Sequence, residues 1–473
     1  MKFRTFTTED QNAFAELSGD YNPLHMDKIA ARRLIFGSPV VHGIHSLLWA
    51  LDCLLEDREG YLGLRFIKAI FPKPITVGEE VSFSIIDNED RCFSIELLCG
   101  GTVVTRISVE LCESTQMNFD YLETNFPEKL EPRALSDIQI ESGAGSLGLY
   151  LNTEAATKMF PYLIKCISPS QIAVILSTTR LVGVKCPGLH SIYSELTLSV
   201  TPPNSERRTN YEVINLDKRF GLVLINITAP GMTGIIKAFR RPAPLEQQNY
   251  LFLKDKVEKN EFANQRALII GGSRGIGEVA AKLLSGGGAD VKITYHQGKE
   301  DADAIVEDIV SNGGIADSFC FDVLNPKIDS INISANGWTP THLYYFATPF
   351  VFSGVKGKFS APLFNKFCNY YIVGFINTVD LLSNFGIKQI FCPSSVAIDE
   401  LPTNMSEYTV AKIASEMLCS FIEKNDPEII VYKPRFPRMA TDQTASIMPV
   451  INHDPAPFML KELRSFRLIS KQR

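Results

Sequence analysis

Two clusters on this chain combine residue types and spacings that chemistry can use. The first is Ser18-Gly19-Asp20-Tyr21-Asn22-Pro23-Leu24-His25, followed by Val41-His42-Gly43. Gly19 to Pro23 are turn-forming types, so Asp20 and His25 on either side of Asn22-Pro23 can be aimed at one water molecule. Adding water across a carbon–carbon double bond beside a thioester needs a base to activate the water and an acid to protonate the α-carbon. It also needs donors for the thioester oxygen as it gains enolate charge. Asp20 and His25 can serve as the acid–base pair. Gly43 opens an apolar, helix-compatible stretch, where partial positive charge collects, and its N–H can meet the oxygen. Taken alone, Gly19 to Pro23 would read only as a turn.

The second cluster is Gly271-Gly272-Ser273-Arg274-Gly275-Ile276-Gly277, directly after Ala267-Leu268-Ile269-Ile270, with Ser395, Tyr408 and Lys412 further on. A glycine-rich turn between a strand and a helix lets backbone N–H groups approach a pyrophosphate. A site for NAD carries an acid at the end of the second strand. Here that strand ends Tyr295-His296-Gln297, without an acid, and Arg274 can meet a 2′-phosphate, so NADP is expected rather than NAD. Tyrosine is a weak acid, with a reference pKa of about 10. A lysine one helical turn away, as Lys412 is from Tyr408, lowers that value by placing positive charge beside the phenolate. Ser395, just after an expected strand from Gln389 to Cys392, can hold a carbonyl oxygen. A tyrosine–lysine pair alone is ordinary helix surface. The glycine turn and Ser395 give it weight.

The elements that must position these residues follow from pattern. The chain divides at two polar stretches, one near 113–137 with prolines at 127 and 132, the other near 242–264. In the first segment, His42 to Leu55 is apolar on nearly every face and predicts a buried helix. Strands are expected at Leu64–Phe71, Glu80–Ile86, Cys92–Leu97 and Val103–Leu111. In the second, Ser168-Pro169 predicts an N-cap and first helical position for a helix from Ile172 to Val182. Strands are expected after it at Ser191–Val200, Tyr211–Leu216, Leu222–Ile227 and Ile235–Phe239. Gly63-Leu64 recurs as Gly188-Leu189, and two like units, each a sheet around a buried helix, imply an internal pseudo-dimer. The third segment alternates strand and helix, which predicts a parallel, doubly wound sheet.

The first cluster resembles the MaoC-like (R)-specific enoyl-CoA hydratases of the hot-dog fold, whose signature is S-G-D-x-N-P-L-H. Pro39-Val40-Val41-His42-Gly43 and Arg65-Phe66-Ile67-Lys68-Ala69-Ile70-Phe71-Pro72 match that family as well. The resemblance covers roughly residues 5 to 112. It implies Asp20 and His25 as the catalytic pair, Asn22 as support and Gly43 in the oxyanion hole. Residues 144–170 contain no histidine and no such string. The second copy therefore resembles the inactive half of double hot-dog proteins, completing the sheet and shaping an acyl tunnel or serving as pure scaffold.

The second cluster resembles the short-chain dehydrogenase/reductases, most closely the 3-ketoacyl reductases, over about residues 264 to 445. The resemblance implies Tyr408 as acid, Lys412 as pKa modulator and ribose ligand, and Ser395 as carbonyl stabiliser. Gly271, Ser273, Arg274, Gly275, Ile276 and Gly277 would cradle the cofactor, with Asp322 and Val323 beside the adenine. There are three departures. The family's N-N-A-G reads Phe346-Ala347-Thr348-Pro349, its helix asparagine is replaced by Tyr371, and its P-G reads Pro434-Arg435.

The expected fold is an α+β double hot-dog followed by an α/β Rossmann-type doubly wound parallel sheet. The expected domains are 1–115, 135–243 and 264–447, with an extension, 448–473, as a lid or docking element. The two resemblances imply NADP(H)-dependent 3-ketoacyl/(3R)-hydroxyacyl reduction and (R)-specific hydration/dehydration, on an acyl thioester of coenzyme A or of an acyl-carrier protein. The alternative is that only the ketoreductase works and the hot-dog half grips an acyl carrier.

At 473 residues the chain accommodates two or three domains. Its net charge of -6 leaves no basic footprint for nucleic acid. The N-terminus carries no apolar run like that of a signal peptide, and no segment reaches the roughly 18 apolar residues of a membrane span. The ten cysteines are scattered without a C-x-x-C pair, which fits buried thiols in a reducing cytosol. His42 and His45 lack the partners of a metal site, so no metal is expected. A cytoplasmic homo-oligomer is expected.

Overall fold

The computed structural model describes residues 2–89, 91–113, 122, 129–202, 206–326 and 337–472. It has two compact units. Unit 1 is Met1–Ala243 with Ser446–Pro449, and unit 2 is Pro244–Ala445 with Val450–Arg473.

Unit 1 is built on one antiparallel sheet. Its strands are β1 (Lys2–Thr5), β2 (Leu62–Ile70), β3 (Glu80–Glu89), β4 (Cys92–Cys99), β5 (Thr102–Glu113), β6 (Ala144–Gly148), β7 (Ser191–Val200), β8 (Arg208–Asp217), β9 (Leu222–Ala229) and β10 (Met232–Arg240). Their order, β1-β3-β4-β5-β2-β7-β10-β9-β8-β6, is the same series read from either end, with β1 matching β6, β3 matching β8 and β2 matching β7. The halves join where β2 runs antiparallel to β7, Ile67 opposite Leu198. Alternation sets the inner face. In β5, Ile107, Val109 and Leu111 are buried while Arg106 and Ser108 are exposed.

One apolar helix packs into each half. The first is Gly43–Leu55. The second is Pro169–Arg180, which runs on into a π-helical turn, Leu181–Lys185. Ile44, Leu47 and Leu51 of one and Ile172, Ile175 and Leu176 of the other belong to a single buried cluster. The first helix is apolar nearly all round, as a helix buried on every side must be, and the second is apolar from Ile172 to Leu176 before a buried polar end. Ser168 occupies the N-cap position without a side-chain capping hydrogen bond, so Pro169 alone marks that helix start. Strands β1 and β6 escape sequence reading. Both are short, and β6, Ala-Gly-Ser-Leu-Gly, has no period-two pattern.

Unit 2 carries β11 (Arg266–Ile270), β12 (Asp290–Tyr295), β13 (Ile315–Cys320), β14 (His342–Tyr345), β15 (Gln389–Phe391), β16 (Ser394–Ser395), β17 (Ile430–Tyr432) and β18 (Arg435–Phe436). Six of them form a parallel sheet ordered β13-β12-β11-β14-β15-β17, and β16 pairs with β18 apart from it. Ala267 and Ile269 lie in one buried cluster, Leu268 and Ile270 in another. Both faces are therefore covered, as a parallel sheet requires.

The stretch 242–264, expected as a polar connector, contains the helix Tyr250–Lys254, and Tyr250, Leu253 and Phe262 are buried in unit 2. The C-terminal residues, expected as a lid or docking element, form the helix Pro455–Gln472. Its Met459, Leu463 and Phe466 sit in the same core at helical spacing. In the first polar stretch, residues 114–121 and 123–128, Pro127 among them, lie outside the described residues. Among the described residues no helix is long and apolar enough to cross a membrane. The ten cysteines are free thiols. Cys166, Cys186, Cys392 and Cys419 are buried, whereas Cys92 and Cys320 are exposed rather than interior.

Candidate active sites

In unit 1, the string from Ser18 to His25 is one helix end followed at once by one helix start. The helix Thr8–Ser18 stops at Gly19, which takes a left-handed φ of 74° that glycine adopts without strain. Asn22 then caps the short helix Pro23–Met26, its Oδ1 accepting the Leu24 N–H at 3.0 Å, with Pro23 at the first helical position. Asp20 and His25 thus lie on either side of a cap. The Asn22 Nδ2 donates to the Gly183 carbonyl at 2.9 Å and faces those of Gly188 and Leu189 at 3.3 Å. The supporting residue is therefore tied to the second half of the unit.

The Asp20 carboxylate is buried, 2% exposed. Its Oδ1 accepts the Asn22 N–H at 3.2 Å and its Oδ2 accepts the Thr179 hydroxyl at 2.7 Å. His25 Nδ1 lies 2.7 Å from the Val40 carbonyl. A carbonyl only accepts, so Nδ1 carries the proton and Nε2 is left with its lone pair free to act as a base. Asp20, His25 and His42 each place a polar atom within 4.8 Å of the other two.

His42 stacks on His25 with ring centroids 3.8 Å apart. Its Nε2 is 3.0 Å from the Asp20 backbone carbonyl and its Nδ1 3.0 Å from Gln11 Oε1. Gln11 Nε2 is 3.3 Å from His45 Nδ1. Burial pushes both His42 and His45 well below the ordinary imidazole range.

Burial pushes the Asp20 carboxyl up, against the opposing pull of His25, Thr179, Asn22 and Arg180. Burial also pushes His25 down, partly offset by Asp20 and by the bond to Val40. The pair faces a cavity of about 260 Å³ lined also by Gly43, Phe71, Thr179 and Tyr193. Gly43 opens its helix, where backbone N–H groups have no intrahelical acceptor.

Sequence reasoning missed what the second half contributes. Thr179 lies in the last turn of the buried helix, and Gly183 sits in the π-helical turn after it, a feature common at functional sites. A Cβ at Gly183 would stand 2.2 Å from Asp20 Oδ1. Two signals were available: a glycine inside a helical pattern, and the polar run Ser177-Thr178-Thr179-Arg180 closing an otherwise apolar helix.

In unit 2, the glycine turn joins β11 to the helix Gly275–Gly286, as expected. Gly271 and Gly275 have φ of 79° and 59°. A Cβ at Gly277 would meet the Gly271 carbonyl at 2.3 Å. Thr294 of β12 holds the turn, its Oγ1 accepting the Gly271 N–H at 3.0 Å. Ser273 is buried and Ile276 packs against the core. Arg274 lies 3.9 Å from Asp442. Asp322, after β13, is 3.9 Å from His296, and Val323 is buried beside it.

Tyr408 and Lys412 share the helix Ser406–Asn425, and Ser395 lies in β16. Lys412 stands closer to Tyr371 than to Tyr408. The Lys412 ammonium donates to the Pro393 carbonyl at 2.9 Å and sits 4.0 Å from the Tyr371 ring centroid, against 6.0 Å from that of Tyr408. Burial pushes the Tyr408 hydroxyl up, and its hydrogen bond with Ser395 opposes this. Tyr371 lies in a second π-helical turn, Asn369–Val373, with its hydroxyl 2.5 Å from that of Thr348.

Residues 1–109 match the family model described as "MaoC like domain". The peroxisomal hydratase-dehydrogenase-epimerase of Saccharomyces cerevisiae is 37% identical over 89 residues, 17% of this chain and 10% of that protein. The (R)-specific enoyl-CoA hydratase of Aeromonas caviae is 34% identical over 86 residues, 17% of this chain and 62% of that protein. A 3-oxoacyl-[acyl-carrier-protein] reductase of Synechocystis is 46% identical over 52 residues, 11% of this chain and 21% of that protein. The chain spans less than two thirds of the length of each of these relatives. Its N-terminal residues 1–109 match a MaoC-like domain, and a further stretch of 52 residues is similar to a 3-oxoacyl-[acyl-carrier-protein] reductase.

Proposed function

We propose that the protein is a bifunctional acyl-thioester enzyme. In this reading, unit 2 reduces a 3-ketoacyl thioester to the (3R)-hydroxyacyl thioester, and unit 1, a double hot-dog, interconverts that product with the trans-2-enoyl thioester. The observation that carries it is the facing of the buried Asp20 carboxylate and the free Nε2 of His25 into one cavity, beside the open N–H groups at Gly43. In hydration, Asp20 and His25 orient a water and accept its proton as the oxygen attacks the β-carbon. The thioester oxygen gains charge against the Gly43 N–H. The proton held on the pair then passes to the α-carbon. Dehydration runs the same steps backwards. An intact acid–base pair weighs against a hot-dog half that merely grips an acyl carrier.

The glycine turn fits a dinucleotide. The close approach at Gly277 and the helix N-terminus at Gly275 leave backbone donors for phosphates. A bound nicotinamide would supply the hydride. Tyr408 would give a proton to the substrate oxygen, Ser395 would hold that oxygen, and Lys412 would meet the ribose. The acid-free end of β12 and Arg274 favour NADP, although Asp442 offsets part of the arginine's charge. The carrier is coenzyme A or an acyl-carrier protein, and the expected setting is a cytoplasmic homo-oligomer.

The test supplies purified protein with a 3-ketoacyl thioester and NADPH, then with NADH. NADPH consumption followed by appearance of enoyl product is expected. An absence of reduction removes the ketoreductase. Failure to interconvert a supplied (3R)-hydroxyacyl thioester removes the hydratase.

A further inference from the structure

The second half of unit 1 has no acid–base pair, yet the catalytic carboxylate of the first half is held by it. One Asp20 oxygen is bonded within its own turn by the Asn22 N–H at 3.2 Å. The other is bonded by Thr179, from a helix far along the chain, at 2.7 Å. The Gly183 position that follows has no room for a side chain, since a Cβ there would lie 2.2 and 2.5 Å from the two carboxylate oxygens. The Asn22 amide locks the same contact by donating to the Gly183 carbonyl at 2.9 Å. The π-helical turn Leu181–Lys185 brings these groups together, with Thr179 just before it and Gly183 inside it.

We infer that Thr179 is a positioning residue of the hydratase site, holding the Asp20 carboxylate in its ionised, basic form and turned toward His25, and that Gly183 is the space this arrangement needs. The inference rests on the hydratase reading of this site. The physical reason is that burial favours the neutral acid, while a hydrogen bond donated to the charged form opposes it. The charged and titratable groups around Asp20 are few. His25 comes from the helix Pro23–Met26, and His42 stands at the N-cap of Gly43–Leu55. Arg180, beside Thr179, donates to the Gly148 carbonyl and lies 4.9 Å from the Tyr150 ring. Arg241 acts on His25 rather than on Asp20. Thr179 is the side-chain hydroxyl bonded to the carboxylate.

The experiment is the pH profile of kcat/KM for hydration of a trans-2-enoyl thioester by the full chain, comparing wild type, Thr179→Val, Thr179→Ser and Asp20→Asn. Hydration requires Asp20 ionised, so activity falls as pH drops through its pKa. Removing the donor moves that acid limb to higher pH, by about one unit or more for a hydrogen bond to a buried charge. Thr179→Ser restores the wild-type limb. A Thr179→Val limb that stays in place, or a uniform loss at every pH, overturns the inference, as does a serine variant that behaves like valine. Thr179→Ala removes the same donor without added bulk and carries the test where valine prevents folding. Hydration surviving in Asp20→Asn would instead overturn the hydratase reading itself, so the two failures are distinguishable.

Discussion

Asp20 in unit 1 and Tyr408 in unit 2 present the same physical problem with different solutions. Each is a buried acid whose neutral form burial favours. Asp20 meets two hydrogen bonds to its charged form, an imidazole and a nearby guanidinium. Tyr408 meets Ser395, while the cation expected beside it is turned to Tyr371 and the Pro393 carbonyl. Burial alone therefore does not make a catalytic group. In both the net shift is upward, so the partners offset burial without cancelling it, and the two sites differ in how many partners do so. A protonated phenol suits proton donation, which is the reductive direction.

The strongest way to break this comparison is to remove each acid in turn. Asp20→Asn should lower enoyl hydration by about 10²–10⁴-fold, the range for a general acid–base group, and leave ketoreduction unchanged. Tyr408→Phe should do the reverse, lowering NADPH oxidation over a similar range with hydration intact. Loss of both activities in either variant would show that the sites are not separate. Next in size, Gly183→Ala should cost about 10²-fold in hydration, because its Cβ collides with the carboxylate and a misplacement of about 1 Å has that effect. Steady-state kinetics alongside a circular-dichroism check would separate this from misfolding.

A sharper comparison comes from pH. Tyr408 is pushed above its ordinary value, so it stays protonated through neutral pH. Ketoreduction should be flat there and fall only in strong alkali. Oxidation of the (3R)-hydroxyacyl thioester needs the phenolate and should rise with pH through the alkaline range. A reductase that loses activity above neutral pH would contradict this assignment. The smallest effect is expected from Tyr371→Leu. Losing a cation–π contact of ~0.5–2 kcal/mol frees Lys412 to approach Tyr408. The onset of oxidation should then move to lower pH by about one unit or less.

Much of the fold was legible because its signals are local. The long strands of unit 1 lie close to where they were expected, and the apolar runs marked both buried helices. The tail helix was missed although Met459, Leu463 and Phe466 have helical spacing, since apolar residues spread thinly among charged ones read as surface. Strand β6 was missed because Gly-Ser-rich edge strands have no pattern. Asp20, Asn22 and His25 were legible as a site because a glycine helix stop and an Asn-Pro helix start are written in consecutive residues.

The sequence by itself determined the two clusters, the repeat and the strand–helix alternation, since each depends on neighbours along the chain. Only the tertiary structure decided that Thr179 and Gly183 close over Asp20 and that Lys412 faces Tyr371. Those contacts join residues far apart in the chain, and the π-helical turns beside them leave no periodic trace in the sequence.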